Sequence, residues 1–370
     1  MVAVNATYPS TSYLNLATTV AANLAASNKD SGAGTTSTTT TEAPATSITL
    51  SSAAQAELAK KDFATVLADA HAKLLALLKD AKRTSPLQDG KLALDISSLD
   101  PRELYAMSSD KSFAPEEREA AGLEMQRRFE SAMSGPAAVA KVTGDYTGLY
   151  KAAATYLDSL GDEEKNGTDW IAGRDAITEG LKQLQSDPKT LPDAGDNDPV
   201  ALYLALTEAG QTQQQDIKDV ATGARASLDA LYAKAIKDGK VPTFNKQTTV
   251  GTYVDLSSFP SRTLSAIALN TENKFAPEEV NAARGALRTK SGAALLAGFQ
   301  NAAKSSDPTA FSQNIISIYS SMSDEERQAA GWSSDFYAAA LASYQTTNKL
   351  TEMFAQAGGS STSFLSWMGK

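Results

Sequence analysis

Apolar residues recur at helical spacing along much of the chain. Phe63, Val66, Ala70, Leu74 and Leu77 fall three and four positions apart, with Lys60, Lys61, Asp69 and Lys73 between or before them. That stripe predicts a helix with one face packed on a core. Ile217, Val220, Ala224, Leu228 and Leu231 repeat the spacing and predict a second helix of the same kind. Leu14, Ala17, Val20 and Leu24 follow it over a shorter stretch, enough for one short amphipathic helix that would be marginal alone. KLALDIS and TYVDLSS instead alternate apolar and polar positions. They predict short extended segments near 91–98 and 249–258, too brief to define a sheet.

The two stripes open a series of matched words, the mark of an internal duplication. DISSL at 95–99 corresponds to DLSSF at 255–259. KSFAPEE at 111–117 corresponds to NKFAPEE at 273–279, GDEEK at 161–165 to SDEER at 323–327, and Trp170 to Trp332. The last three share an offset of 162; it is 160 at DISSL and 154 at the stripes. The second copy therefore holds extra residues near 270–273 and in the VPTFNKQTTVGTY stretch. The words have local reasons. Pro115 and Pro277 suit the first position of a helix, where a missing N–H removes nothing. Glu116, Glu117, Glu278 and Glu279 then set negative charge against the positive end of the helix dipole. Ser323 and Glu326 have capping-box spacing, and Gly161 with Glu164 is a weaker version.

Residues 27–46, SNKDSGAGTTSTTTTEAPAT, are too poor in apolar side chains to offset their ordering entropy. SDPKTLPDAGDNDP at 186–199 is rich in Pro, Asp and Gly and reads as a boundary, with Asp198 and Pro199 as N-cap and first residue of the next helix. The expected organisation is all-α: a disordered arm at 1–50 with one short helix, helical module 1 at 51–186, a linker at 187–198, helical module 2 at 199–357, and a flexible tail at 358–370.

Composition narrows the chemistry. The 370 residues contain no Cys and one His, which excludes disulfides, thiolate catalysis, Cys-based zinc sites and any His-rich metal site within one chain. The net charge is −9, and no block of Lys and Arg offers a phosphate-neutralising surface, so neither nucleic acid nor an anionic membrane is an expected partner. No apolar run is long enough to span a membrane. The first basic residue is Lys29, so the start lacks the charged region of a secretory signal.

Each candidate for chemistry has a plainer reading. His71 lies within the first stripe, and Arg225 takes the matching place in the second copy, which argues against a duplicated catalytic role. Asp193, Asp196 and Asp198 cluster as calcium ligands do, but not at EF-hand spacing. Ser108 and Lys111 match the S-x-x-K nucleophile pattern, and Lys290-Ser291-Gly292 resembles a K-[ST]-G triplet. Copy two keeps no S-x-x-K, and Lys290 follows a helical segment. Glu116–Glu117 and Glu163–Glu164 are adjacent pairs, which diverge on a helix rather than converge on a substrate. Trp170 and Trp332 suit either module cores or a ligand platform. Asn5-Ala-Thr7 and Asn166-Gly-Thr168 are glycosylation sequons that matter only on a eukaryotic secretory route. No catalytic, cofactor-binding or metal-binding residue is assigned, and no cofactor is expected.

The order ITLSSAAQAELA, a long helix, DISSLDPRELYAM, FAPEE and GDYTGLYKAAATYLDSL resembles a group of uncharacterised proteobacterial proteins with a Thr/Ser-rich start and an Ala-rich helical region. The likeness covers most of 47–185 and implies no particular activity. The LSSAAQ word also resembles segments of flagellum-associated and exported bacterial proteins. The expected function is a non-enzymatic structural or interaction protein of a bacterium, with a protein partner, located in the cytoplasm or exported without a Sec signal. A cytoplasmic adaptor or export chaperone, and a hydrolase using Ser108 and Lys111, stay open beside it.

Overall fold

Helix starts are where sequence and structure meet most directly. The computed structural model describes residues 61–213 and 215–358. The arm at 1–50, the Asn5 sequon and the tail beyond Gly358 lie outside the described residues. Helix α1 (Phe63–Asp80) starts on Asp62, whose carboxylate accepts the Thr65 N–H at 2.6 Å. A hairpin of β1 (Leu87–Gln88) and β2 (Lys91–Leu92) follows. It turns through Asp89 at φ 52° and Gly90 at φ 70°, the left-handed pair that a two-residue hairpin loop requires. Helix α2 (Pro101–Ser109) is set by a reciprocal capping box between Asp100 and Glu103. Helix α3 (Pro115–Thr143) starts at the proline of FAPEE, with Glu117 reaching back to the Ala114 N–H at 2.7 Å.

The run continues through α4 (Thr147–Asp158), α5 (Asp162–Lys165) and α6 (Thr168–Ser186), and then α7 (Pro199–Glu208). A second run has the same order: α8 (Ile217–Lys237), β3 (Pro242–Thr243), β4 (Thr252–Tyr253), α9 (Ser261–Leu269), α10 (Pro277–Lys304), α11 (Ala310–Ser321), α12 (Asp324–Ala330) and α13 (Ser334–Gly358). The fold is all-α. The extended segments foreseen near 91–98 and 249–258 contribute only two-residue strands, and β3 pairs with β4 in parallel rather than as a hairpin.

Four apolar clusters hold these elements. Leu74 and Leu78 of α1, Ile96 and Leu99 of the following loop, Leu104 and Met107 of α2, Phe113, and Ala120 of α3 form the first. Val220, Ala224 and Leu228 of α8, with Leu264 and Ile267 of α9, Phe275, and Ala283 and Leu287 of α10, form its counterpart in the second run. In both, the stripe residues expected from the sequence face inward.

Helix α7 departs from the expected division. The sequence predicts a linker at 187–198 between module 1, ending at 186, and module 2, starting at 199. In the fold, Val200 and Tyr203 of α7 are buried with Phe129 and Met133 of α3, Leu149 and Tyr150 of α4, and Ile177 and Leu184 of α6. Asp198 explains the docking. It is buried, caps α7 through the Val200 N–H at 2.8 Å, and accepts the Tyr150 hydroxyl at 2.5 Å. A Pro- and Gly-rich stretch permits a turn, but this buried hydrogen bond decides where the next helix goes.

The two runs pack on each other chiefly through α3 and α11. Ile315 and Ile316 of α11 lie against Ala138, Val139 and Val142 of α3 on one side, and Leu295 of α10 with Ala340, Leu341 and Tyr344 of α13 on the other. Gly135 permits the approach. A Cβ there would meet Ser317 of α11 at 2.6 Å from its hydroxyl and 2.7 Å from its carbonyl oxygen. On the opposite side Gly298 of α10 abuts Asn314 in the same way.

Candidate functional site

Where α3, α9, α10, α11 and α12 meet, the packing leaves a cavity of about 560 Å³. Arg127, Arg128, Arg262 and Lys290 line it, with Glu326 the one lining carboxylate. The walls are completed by small hydroxyl residues and by Leu287, Ile318 and Met322. The cavity is therefore cationic, in a chain whose net charge is −9.

Its charges are not equally engaged. Arg127 and Arg128 share the fully buried carboxylate of Glu124, at 2.6 to 2.8 Å, and Arg128 also donates to the Ser97 and Leu99 carbonyls. The two guanidiniums hold the Glu124 carboxyl below its usual range against the strong opposing effect of burial. Arg262 donates to the Ser323 hydroxyl at 2.8 Å and the Gln215 carbonyl at 2.5 Å, with Glu325 at 3.7 Å. Its Nε is buried without a partner among the described residues. Lys290 has no hydrogen-bond or ion-pair partner among them either.

The start of α9 adds to this imbalance. At the matching place in the first run, Asp100 and Glu103 cap α2 and place two carboxylates on its first turn. In α9 those positions are Pro260 and Thr263, and no side chain caps the helix. The first-turn N–H groups of Ser261, Arg262 and Thr263 have no acceptor from the helix itself. Arg262 also borders an opening of about 840 Å³ on its other side, lined by Asp216, Asp219, Asp324 and Glu325 with Lys91. It thus divides a cationic cavity from an acidic cleft.

A second feature stands away from this junction. The last turns of α13 present Leu350, Met353 and Phe354, 48%, 64% and 70% exposed, at i, i+3 and i+4. Lys349 and Glu352 flank them.

The residues singled out from sequence fall as follows. Lys290 and Ser291 of the K-S-G triplet line the junction cavity, on a helix. Ser108 donates its hydroxyl to the Tyr105 carbonyl at 3.0 Å, and no hydrogen bond joins it to Lys111. His71 stacks on Phe113 with ring centroids 3.7 Å apart, and its Nε2 lies 2.9 Å from the Ser112 hydroxyl. That Ser–His pair was not foreseen, since 41 residues separate its members. The nearby Asp110 accepts the Ser112 backbone N–H, and among the described residues no hydrogen bond joins it to the imidazole. Asp193 bonds Gln183 through its backbone, and no group of metal-ligating side chains forms among the described residues.

Glu116 accepts the Ser85 hydroxyl, and Glu163 pairs with Arg102. The weaker capping box foreseen for Gly161 and Glu164 does not form. Glu164 is buried instead, one oxygen has no partner among the described residues, and burial pushes its carboxyl up to about 7. Trp170 donates to the Leu157 carbonyl at 2.9 Å and packs on the first run's core, and Trp332 packs beside Ile315 and Ile316. Asn166 is exposed just after α5. No helix among the described residues is long and apolar enough to cross a membrane. No protein-family model, curated protein or solved structure matches this chain.

Proposed function

We propose that the chain is a non-enzymatic interaction protein of a bacterium that engages a protein partner through the last turns of α13. The observation that carries this reading is the exposed apolar triplet Leu350, Met353 and Phe354 on one helical face. Such anchors are what an amphipathic helix inserts into an apolar groove. A partner with a groove fits better than a second copy of the same face. Three side chains, at about 1.5–3 kcal/mol each for full burial, barely offset an association cost of about 4–15 kcal/mol unless the partner adds a larger apolar surface. The non-enzymatic part is supported by Ser108, whose hydroxyl is engaged by a backbone carbonyl. The bacterial origin rests on the resemblance within residues 47–185. The matched order of elements in the two runs also supports descent by tandem duplication.

Photocrosslinking in producing cells tests the reading. A photoreactive residue at Met353 is expected to give one discrete adduct, lost with Leu350→Ser and retained with Lys349→Ser. The same adducts from a probe at exposed Lys182 would overturn it. So would tight self-association of the purified chain, or a crosslink from Met353 to residues 359–370 of the same chain.

A further inference from the structure

We propose that the junction cavity binds a phosphate-type oxyanion between the two runs of helices. Three independent observations converge there. Cationic side chains outnumber carboxylates on its walls, even with Glu124 set against Arg127 and Arg128. One of the donors is unused: Lys290, on the cavity wall, has no partner among the described residues. The α9 helix start opens on the same space through Pro260, Ser261 and Arg262, with no side-chain cap.

Phosphate chemistry is favoured over a simple carboxylate by the number and variety of donors. The Lys290 ammonium, backbone N–H groups and the hydroxyls of Ser261 and Ser291, beside the guanidiniums of Arg127, Arg128 and Arg262, can serve several oxygens at once. The charge difference between the runs points the same way. Where α2 carries Asp100 and Glu103, α9 carries Pro260 and Thr263, so a bound anion takes the place of carboxylates the second run lacks. Glu326 is the opposing charge. One of its oxygens accepts the Ser323 N–H at 2.8 Å, which holds the carboxylate against the start of α12. The apolar wall formed by Leu287, Ile318 and Met322 gives room for an uncharged body attached to the phosphate.

The test is thermal unfolding and calorimetric titration of the whole chain with inorganic phosphate, at ionic strength held constant with chloride. Phosphate is expected to raise the unfolding midpoint saturably, as a ligand of the folded state does. Lys290→Met is expected to weaken binding by about tenfold, the loss of one charge-assisted hydrogen bond. Pro260→Asp supplies the missing cap. It is expected to raise the midpoint without phosphate and to abolish the response to phosphate. A purely structural role for this corner would not couple those two effects. Phenyl phosphate binding more tightly than inorganic phosphate would assign the site to a phosphomonoester, and equal affinities would assign it to the free ion. No saturable response, an equal response to added chloride, or an undiminished response in both variants would overturn the proposal.

Discussion

Gly180 and Glu164 are two residues whose substitution reads the packing most directly. A Cβ at Gly180 would collide with the ring of Tyr150, which is fully buried and fixed by its hydrogen bond to Asp198. Gly180→Ala is therefore expected to destabilise the fold by about 1–3 kcal/mol, measured as a lower denaturant midpoint. Glu164 has the opposite character, a native group that limits stability. Its carboxyl titrates near 7 in the folded chain, against an ordinary value near 4.5. Between those values the folded state holds the proton and the unfolded state releases it. Stability from this group is thus full below about 4.5 and is lost as pH rises toward 7. Glu164→Gln is expected to leave stability at pH 5 nearly unchanged and to raise it at pH 8, by up to about 3 kcal/mol, in urea melts at the two values. Neither behaviour is legible in the sequence. The GDEEK word predicts a helix start, and it delivers one; that the third acid points into the core depends on which helices lie above it.

At the scale of elements the sequence is far more informative. Stripes of period 3.6, prolines at first helical positions and acidic first turns name most helices and their starts, because these are local effects. Asp198 shows both the strength and the end of that legibility. It is recognisable as a cap from its place before Pro199, but its second bond, to Tyr150 across 48 residues, is not. Asp198→Ala is expected to cost about 2–4 kcal/mol, because it removes the cap and leaves a buried hydroxyl unpaired. Hydrogen exchange should locate the loss in α7 and the facing part of α4. The helix interior holds a converse case. Gly135-Pro136 would ordinarily punctuate a chain, yet α3 runs through it unbroken to Thr143. Its continuity is imposed by the helices packed along it rather than by local preference.

For the whole molecule, the docking of α11 on α3 is the decisive arrangement. Gly135→Val would drive a side chain into the backbone of α11. It is expected to lower stability by at least about 1–3 kcal/mol and to raise hydrogen exchange in α11 and α13 more than in α1 and α2. The junction cavity exists only because of this docking, so the sequence shows Lys290 and Ser291 only as part of a K-[ST]-G-like word and gives no sign that Arg127, Arg128 and Arg262 join them. The residues are visible in the sequence; their convergence from three helices is not. The Trp residues show the same limit. Both positions were recognised as matched, and only the packing places Trp170 on the Leu157 carbonyl and Trp332 among the aromatic rings of Tyr319 and Phe336.

The contact between α3 and α11 has no mirror image. Helix α11 holds the place in its run that α4 holds in the first, and α10 the place of α3, but no comparable packing joins α4 to α10 among the described residues. The two halves therefore meet head to tail, as successive links do, and not face to face as in a closed pair. Among the described residues, the outer side of α4 carries exposed Lys151 and Thr155, and the far half of α10 carries exposed Leu296 and Phe299. Those two surfaces are unlike in character, one polar and the other apolar, so neither offers the other the close match that α3 and α11 offer each other.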